Sequence, residues 1–126
     1  MSAKRKPAPL RSSEIEPGIR YAVEVLQGAG IETVESCEGG AGHAYSEPTV
    51  RFHGGTWVGY RAFAVAMEHG LPVTHLRFAY AAVNGHLEAP CWEIVFDPSV
   101  RAIAEMAAAE VLCGSQRRDP RQALST

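Results

Sequence analysis

Residues 73 to 96 read VTHLRFAYAAVNGHLEAPCWEIVF, in which two alternating runs of apolar and polar residues flank the dipeptide Asn84-Gly85. Asn-Gly between two such runs predicts a β-hairpin, because both residues tolerate the positive φ angles of a type I′ turn. Alternation then divides the side chains between two faces. The apolar face comprises Leu76, Phe78, Tyr80, Ala82, Trp92, Ile94 and Phe96. The polar face comprises His75, Arg77, Cys91 and Glu93.

A second hairpin is predicted upstream of the first. Residues 31 to 37 form one strand that ends at Cys37, and residues 48 to 53 form another, with Val50 and Phe52 on one face. Arg51 and His53 alternate onto the other face. The simplest arrangement pairs these strands antiparallel, with a glycine-rich loop over residues 38 to 47 between them.

Three helices are predicted around the hairpins. The first covers residues 17 to 27, and its apolar face has the i, i+3, i+4, i+7 spacing of Ile19, Ala22, Val23 and Leu26. The second covers residues 57 to 69 after a Thr56 N-cap, with a predicted buried side of Tyr60, Phe63, Ala64 and Met67. The third covers residues 99 to 112, is capped by Asp97-Pro98-Ser99 and ends at Gly114.

The order helix, strand, strand, helix, strand, strand, helix predicts a single two-layer α+β domain over residues 14 to 114. Its four-stranded, mainly antiparallel sheet carries the helices on one face. A weak internal repeat at an offset of forty residues is consistent with two helix-hairpin units. Residues 1 to 13 and 115 to 126 are rich in basic and small polar residues, and we expect both to be disordered tails.

Charge is distributed unevenly along the chain. Residues 14 to 113 contain thirteen carboxylates and five arginines, whereas the other seven basic residues lie in the two tails. An acidic domain repels a phosphate backbone, so nucleic acid is a poor partner for the folded part.

The sequence also bears on location. No apolar run approaches the length of a membrane span, and the basic start lacks the features of a secretory signal. Three cysteines without a CxxC pair indicate reduced thiols rather than a disulfide framework. We therefore expect a cytoplasmic protein without a membrane partner.

The glycine loop concentrates chemically active side chains and permits several interpretations. In the first, Cys37 is a nucleophile, His43 its base and Glu38 the residue that orients the base; the alternative is a small buried cysteine at a strand end. In the second, Cys37 and His43, with Glu38, ligate a divalent metal such as zinc. A fourth ligand would then come from His53, His75 or Cys91.

A third interpretation is a backbone nest for a small anionic ligand, formed by Gly39, Gly40 and Gly42, with Arg51 or Arg77 as a cationic clamp. The phenol of Tyr45 would belong to the same ligand-binding site. The alternative is that the glycines only make a wide hairpin connection.

The sheet face opposite the helices is predicted to be polar and uncovered. Its members are Arg51, His53, His75, Arg77, Cys91 and Glu93. This face is either solvated and crossed by ion pairs, or it is a ligand-binding surface or dimer interface. We expect a homodimer that associates through this face or through a sheet edge.

Residues 30 to 39, GIETVESCEG, and the following residues 48 to 52 resemble a group of small uncharacterised bacterial and phage-encoded proteins. These share a helix, a Gly-Ile/Val-x-Thr-x-x-Ser-Cys-x-Gly segment and an extended strand. Ser36, Cys37 and Gly39 also resemble a motif of the wybutosine-synthesis methyltransferase that acts on tRNA. A basic residue follows the glycine in that family, whereas Gly40 stands here.

These observations predict a small cytoplasmic binding or accessory domain whose site is the glycine loop. The alternative is a small enzyme that uses Cys37 as nucleophile or metal ligand, together with His43 and Glu38.

Overall fold

The structure, a computed structural model, describes residues 10–80 and 82–116. Its helices are α1 (Arg20–Gly28), α2 (Thr56–Glu68) and α3 (Val100–Gln116), and short 3-10 turns cover Ser12–Glu14 and Pro17–Ile19. Its strands are β1 (Thr33–Cys37), β2 (Thr49–Phe52), β3 (Val73–Ala79), β4 (Ala82–Val83), β5 (His86–Leu87) and β6 (Cys91–Phe96).

Both predicted hairpins are present, and they join into one four-stranded antiparallel sheet. Its strand order is β1-β2-β6-β3, so the two hairpins meet through β2 and β6. β4 and β5 form a separate two-stranded ribbon at the tip of the second hairpin. Asn84 and Gly85 connect them with φ angles of 52° and 77°. The predicted α+β fold is therefore confirmed.

The register confirms the predicted division of faces in the second hairpin. Leu76 lies opposite Ile94, and Phe78 lies opposite Trp92. Arg77 lies opposite Glu93 on the other face.

The core lies between one face of the sheet and the helices. The sheet contributes Val50, Phe52, Ile94 and Phe96, all fully buried. The helical side contributes Ile19, Ala22, Val23, Leu26, Ala62, Ala66 and Val100. The predicted apolar face of the first helix is thus confirmed, although Pro17–Ile19 forms a 3-10 turn before α1. No helix in the described part of the chain is long and apolar enough to span a membrane.

The predicted buried side of α2 is wrong. Tyr60, Phe63, Ala64 and Met67 are exposed, and the buried residues are Gly59, Ala62 and Ala66. At Gly59 the reason is the Trp92 indole, which lies so close beneath the helix that a Cβ atom there would be 2.5 Å from the ring. The predicted Thr56 cap is displaced too, because Gly55 is the N-cap and Thr56 the first helical residue.

The ends of the domain also differ from the prediction. α3 continues through Gly114, a tolerated position that costs about 1 kcal/mol relative to alanine. Leu10 donates its N–H to Thr33 O at 3.0 Å and accepts from Gln27 Nε2, so this residue of the predicted disordered tail is attached to the domain. The rest of the predicted disordered N-terminal tail, residues 1–9, and residues 117–126 of the C-terminal one lie outside the described residues. Asp97 caps the turn before α3 as predicted, since its carboxylate accepts the Ser99 N–H at 2.9 Å.

Candidate functional site

The glycine loop connects β1 to β2, and its two ends contact each other to form a narrow neck. Gly39 has a φ of 81°, and a side chain there would lie 2.6 Å from the backbone of Glu47 and Pro48. Gly40 donates its N–H to Ser46 O across the same neck at 3.0 Å. Only glycine fits the contact at position 39, because the two ends of the loop touch there.

Cys37 ends β1 inside this neck and is 3% exposed. Its Sγ accepts the N–H of Gly39 at 3.4 Å. The thiol also lies 3.8 Å from Tyr45 O and donates to it. The loop therefore wraps around the sulfur atom and holds it from two sides.

His43 lies near Cys37 and contacts a carboxylate from outside the glycine loop. Its Nδ1 is 3.1 Å from Glu16 Oε2. The other oxygen of Glu16 accepts the Glu38 N–H at 3.0 Å. Glu16 immediately precedes the Pro17–Ile19 turn, so its side chain connects the segment before α1 to the glycine loop.

Glu16, Cys37 and His43 form a cluster in which one ligand atom from each residue lies within 4.8 Å of the others. No other group of three potential metal ligands of this kind occurs within residues 10–80 and 82–116. The cysteine is buried, Glu16 is partly exposed and His43 is exposed, so the cluster opens toward solvent on the histidine side.

Glu38, the predicted partner of His43, is directed elsewhere. Its Oε1 accepts the N–H of Gly18 at 3.5 Å, in the Pro17–Ile19 turn. The structure therefore brings Cys37 and His43 together, as predicted, with Glu16 as the carboxylate in contact with the imidazole. The only sequence signal for Glu16 was an acidic residue before Pro17, and such residues are common at helix starts.

Three backbone N–H groups of the predicted anion nest form hydrogen bonds within the protein. The N–H of Glu38 donates to Glu16, that of Gly39 to the sulfur, and that of Gly40 to Ser46. These three donors are already satisfied within the protein. Gly42 has a positive φ of 81° and serves the turn of the loop.

The polar sheet face carries a row of alternating charges across all four strands. Glu35 on β1, Arg51 on β2, Glu93 on β6 and Arg77 on β3 lie in register. Arg51 Nε is 3.3 Å from Glu93, and Arg77 Nε is 3.1 Å from the other oxygen of Glu93. Arg51 also lies 3.8 Å from Glu35. The predicted cationic clamps are thus engaged in cross-strand ion pairs.

Tyr45 extends from the loop toward this row of charges. Burial, a hydrogen bond to Glu35 and the negative charge of Glu35 raise the pKa of the Tyr45 phenol well above its usual value. Burial likewise raises the pKa of the Cys91 thiol, against the opposing charge of Arg51. Burial by itself would lower the pKa of the Arg51 guanidinium. Electrostatic interactions with Tyr45, Cys91 and the flanking carboxylates have the larger combined effect, so the pKa of Arg51 is raised.

The residues predicted as a fourth metal ligand lie away from the cluster. Cys37 and His75 share a row of the sheet but sit on opposite edge strands, about 14 Å apart at the usual strand spacing. His53 follows Thr49, the partner of Cys37, by four residues, which corresponds to about 13 Å. Cys91 lies on β6, two strands from β1, and four residues before Val95 in the row of Cys37.

A groove of about 650 Å³ lies between α1 and the later turns of α3, and its lining includes Tyr21, Glu24, Ala104 and Ala108. No residue of the cluster or of the row of charges lines this groove.

Comparison of the chain with family models, with curated proteins and with solved structures returns no match in any of the three. The geometry of the described residues is therefore what carries a functional assignment.

Proposed function

We propose that this chain is a small metal-binding domain that holds one divalent transition-metal ion at the neck of the glycine loop. Glu16, Cys37 and His43 are its ligands. The proposal rests on one observation: a carboxylate oxygen, a thiol sulfur and an imidazole nitrogen from three separate parts of the chain lie within 4.8 Å of one another.

The donor set favours zinc. Thiolate and imidazole are ligands of zinc and related transition metals, whereas Mg²⁺ and Ca²⁺ select oxygen. Zinc bonds of about 2.0 to 2.3 Å in a tetrahedron place neighbouring ligand atoms roughly 3.3 to 3.8 Å apart. The Glu16 to His43 separation of 3.1 Å is already close to that value. A contraction of about 1 Å elsewhere in the cluster would complete the site.

Contacts behind the ligands support the same proposal. The Gly39 N–H points at the Cys37 sulfur, and the Glu38 N–H holds the second oxygen of Glu16. Such outer contacts orient metal ligands and stabilise the deprotonated thiolate and carboxylate. Three protein ligands leave one position for water or an external ligand, as in catalytic rather than structural zinc sites.

Zinc titration by isothermal calorimetry tests the proposal, with native mass spectrometry for the stoichiometry. We expect one zinc ion per chain. Cys37→Ser, His43→Gln and Glu16→Gln should each weaken binding at least tenfold. Cys91→Ser is the matched thiol control and Glu38→Gln the matched carboxylate control, and both should bind as the parent does. Absence of zinc binding at tens of micromolar, or an equal loss in Cys91→Ser, would contradict the proposal.

The same cluster supports a second candidate, a reactive thiol. Cys37 would be the nucleophile, His43 its base and Glu16 the residue that orients the base. Glu16 contacts the Nδ1 of the imidazole, as that role requires. In this case metal-free Cys37 should react with iodoacetamide at neutral pH much faster than Cys91, and His43→Gln should abolish the difference. Equal, slow labelling of both thiols would eliminate this candidate.

A further inference from the structure

The outward side of α2 carries large apolar side chains that nothing in the described part of the chain covers. Trp57 is 82% exposed, and Tyr60, Phe63 and Met67 are 58%, 42% and 53% exposed. Trp57 and Tyr60 contact each other with ring centroids 6.0 Å apart. Side chains of this size rarely stay exposed together on one helix of a monomeric protein.

The apolar surface continues from α2 onto the edge of the sheet. Trp92 packs beneath Gly59 and against Phe78, whose ring centroid is 4.9 Å away. Phe78 in turn meets the ring of Tyr80, and both are about half exposed. Together with the four side chains on α2, these residues expose roughly 700 Å², if a fully exposed aromatic side chain presents about 200 Å². A stable interface requires about 800 Å² from each partner.

The centre of the outward α2 side is complementary to itself. Arg61, Ala64 and Glu68 follow at i, i+3 and i+7 and therefore lie in one row along the helix. Arg61 and Glu68 are exposed and form no ion pair with any residue within 10–80 or 82–116. In an antiparallel pair of α2 helices with a two-fold axis near Ala64, the turn of Arg61 faces the turn of Glu68 of the partner subunit. The small Ala64 allows the two helices to approach closely.

We propose that a second copy of this chain covers this surface, with the two α2 helices packed antiparallel about a two-fold axis near Ala64. The interface is isologous, so each dimer contains the Arg61 to Glu68 pairing twice. The aromatic side chains supply the buried area, and the charged row sets the register. A lipid surface fits less well, because opposite charges occupy the middle of the helix side that would enter the membrane.

Charge reversal distinguishes this arrangement from other dimers. Sedimentation velocity over a range of concentrations measures the dimer dissociation constant for the parent, Arg61→Glu, Glu68→Arg and the double variant. Each single reversal places like charges opposite each other twice and should raise the dissociation constant about tenfold. The double variant restores opposite charges and should return to within about threefold of the parent.

Several results would overturn the proposal. A parent protein that stays monomeric at about 100 µM would show that this dimer does not form, because even weak interfaces associate at concentrations of that order. A dimer insensitive to both single reversals uses another surface, and a double variant as weak as the singles removes the predicted pairing. Circular dichroism of each variant confirms that the monomer is folded.

The dimer proposal does not depend on the metal site. Zinc affinity should be unchanged in Arg61→Glu and Glu68→Arg, because neither residue belongs to the cluster of Glu16, Cys37 and His43. A parent protein that dimerises but binds no zinc would overturn the metal site alone, and a parent protein that binds zinc but stays monomeric would overturn the dimer alone.

Discussion

Gly59 on α2 lies directly against the indole of Trp92 on β6, so closely that a Cβ atom at position 59 would be 2.5 Å from the ring. The indole N–H donates to Gly54 O and Gly55 O just before the same helix, at 3.2 and 3.1 Å. Trp92 is thus fixed from both ends, and it determines how near α2 comes to the sheet.

This contact predicts that Gly59→Ala lowers the free energy of unfolding by about 2 kcal/mol, because neither the ring nor the helix can move away freely. Gly28→Ala is the matched control, since no atom lies within 4 Å of the added methyl group there. It should leave stability unchanged or raise it by up to about 1 kcal/mol. Urea unfolding measures both, and equal effects of the two substitutions would contradict the packing described.

The row of charges predicts that its two arginines differ in importance. Arg51 is 16% exposed between Glu35 and Glu93, whereas Arg77 is 57% exposed. Arg51→Met leaves two carboxylates facing each other across β2, and we expect a loss of about 2 kcal/mol in unfolding free energy. Arg77→Met should cost less than about 1 kcal/mol, because Arg77 is exposed and Glu93 keeps its ion pair with Arg51. Urea unfolding measures both variants, and an equal loss of unfolding free energy would show that the half-buried Arg51 contributes no more than the exposed Arg77.

The raised pKa values of Tyr45 and Cys91 predict a loss of stability in alkaline solution. Both groups are neutral acids whose folded pKa lies above the unfolded values of 10.0 and 9.0. Their contribution to the free energy of unfolding is therefore complete below pH 9. It decreases as the pH rises above the unfolded pKa values toward the folded ones. The melting temperature should fall between pH 9 and 11 more steeply in the parent than in Tyr45→Phe. Identical slopes would exclude Tyr45 as a cause.

The cap of α3 predicts the opposite dependence at acid pH. Hydrogen bonds from Ser99 lower the pKa of Asp97 below its usual 3.8. The cap therefore contributes above the unfolded pKa and is lost as pH falls through the folded one. Asp97→Ala should melt below the parent at pH 7, and the difference should shrink as the pH falls below 3.8. Asp97→Asn, which keeps an acceptor oxygen, should melt closer to the parent at pH 7. A difference that stays constant with pH would exclude the carboxylate as the cap.

Much of the fold was predictable because its signals are local. Asn84 and Gly85 adopt the positive φ angles that their turn requires, and alternation assigned the faces of β3 and β6 correctly. The prediction failed on α2, where helical periodicity marked Tyr60, Phe63 and Met67 as the buried side. Periodicity identifies an apolar stripe but not its partner, and the space beneath Gly59 is filled by Trp92, which belongs to a strand 33 residues further along the chain.

The candidate site, like the fold, was only partly predictable from the sequence. By itself, the sequence determined the two hairpins, the glycine-rich connection and the proximity of Cys37 to His43, because turn chemistry and short loops act between neighbours in the chain. Only the tertiary structure decided that β2 pairs with β6, that Glu16 rather than Glu38 contacts the imidazole, and that α2 presents its aromatic side to solvent. Those relationships join residues far apart in sequence. They depend on how well whole elements fill the space between them, which no local pattern encodes.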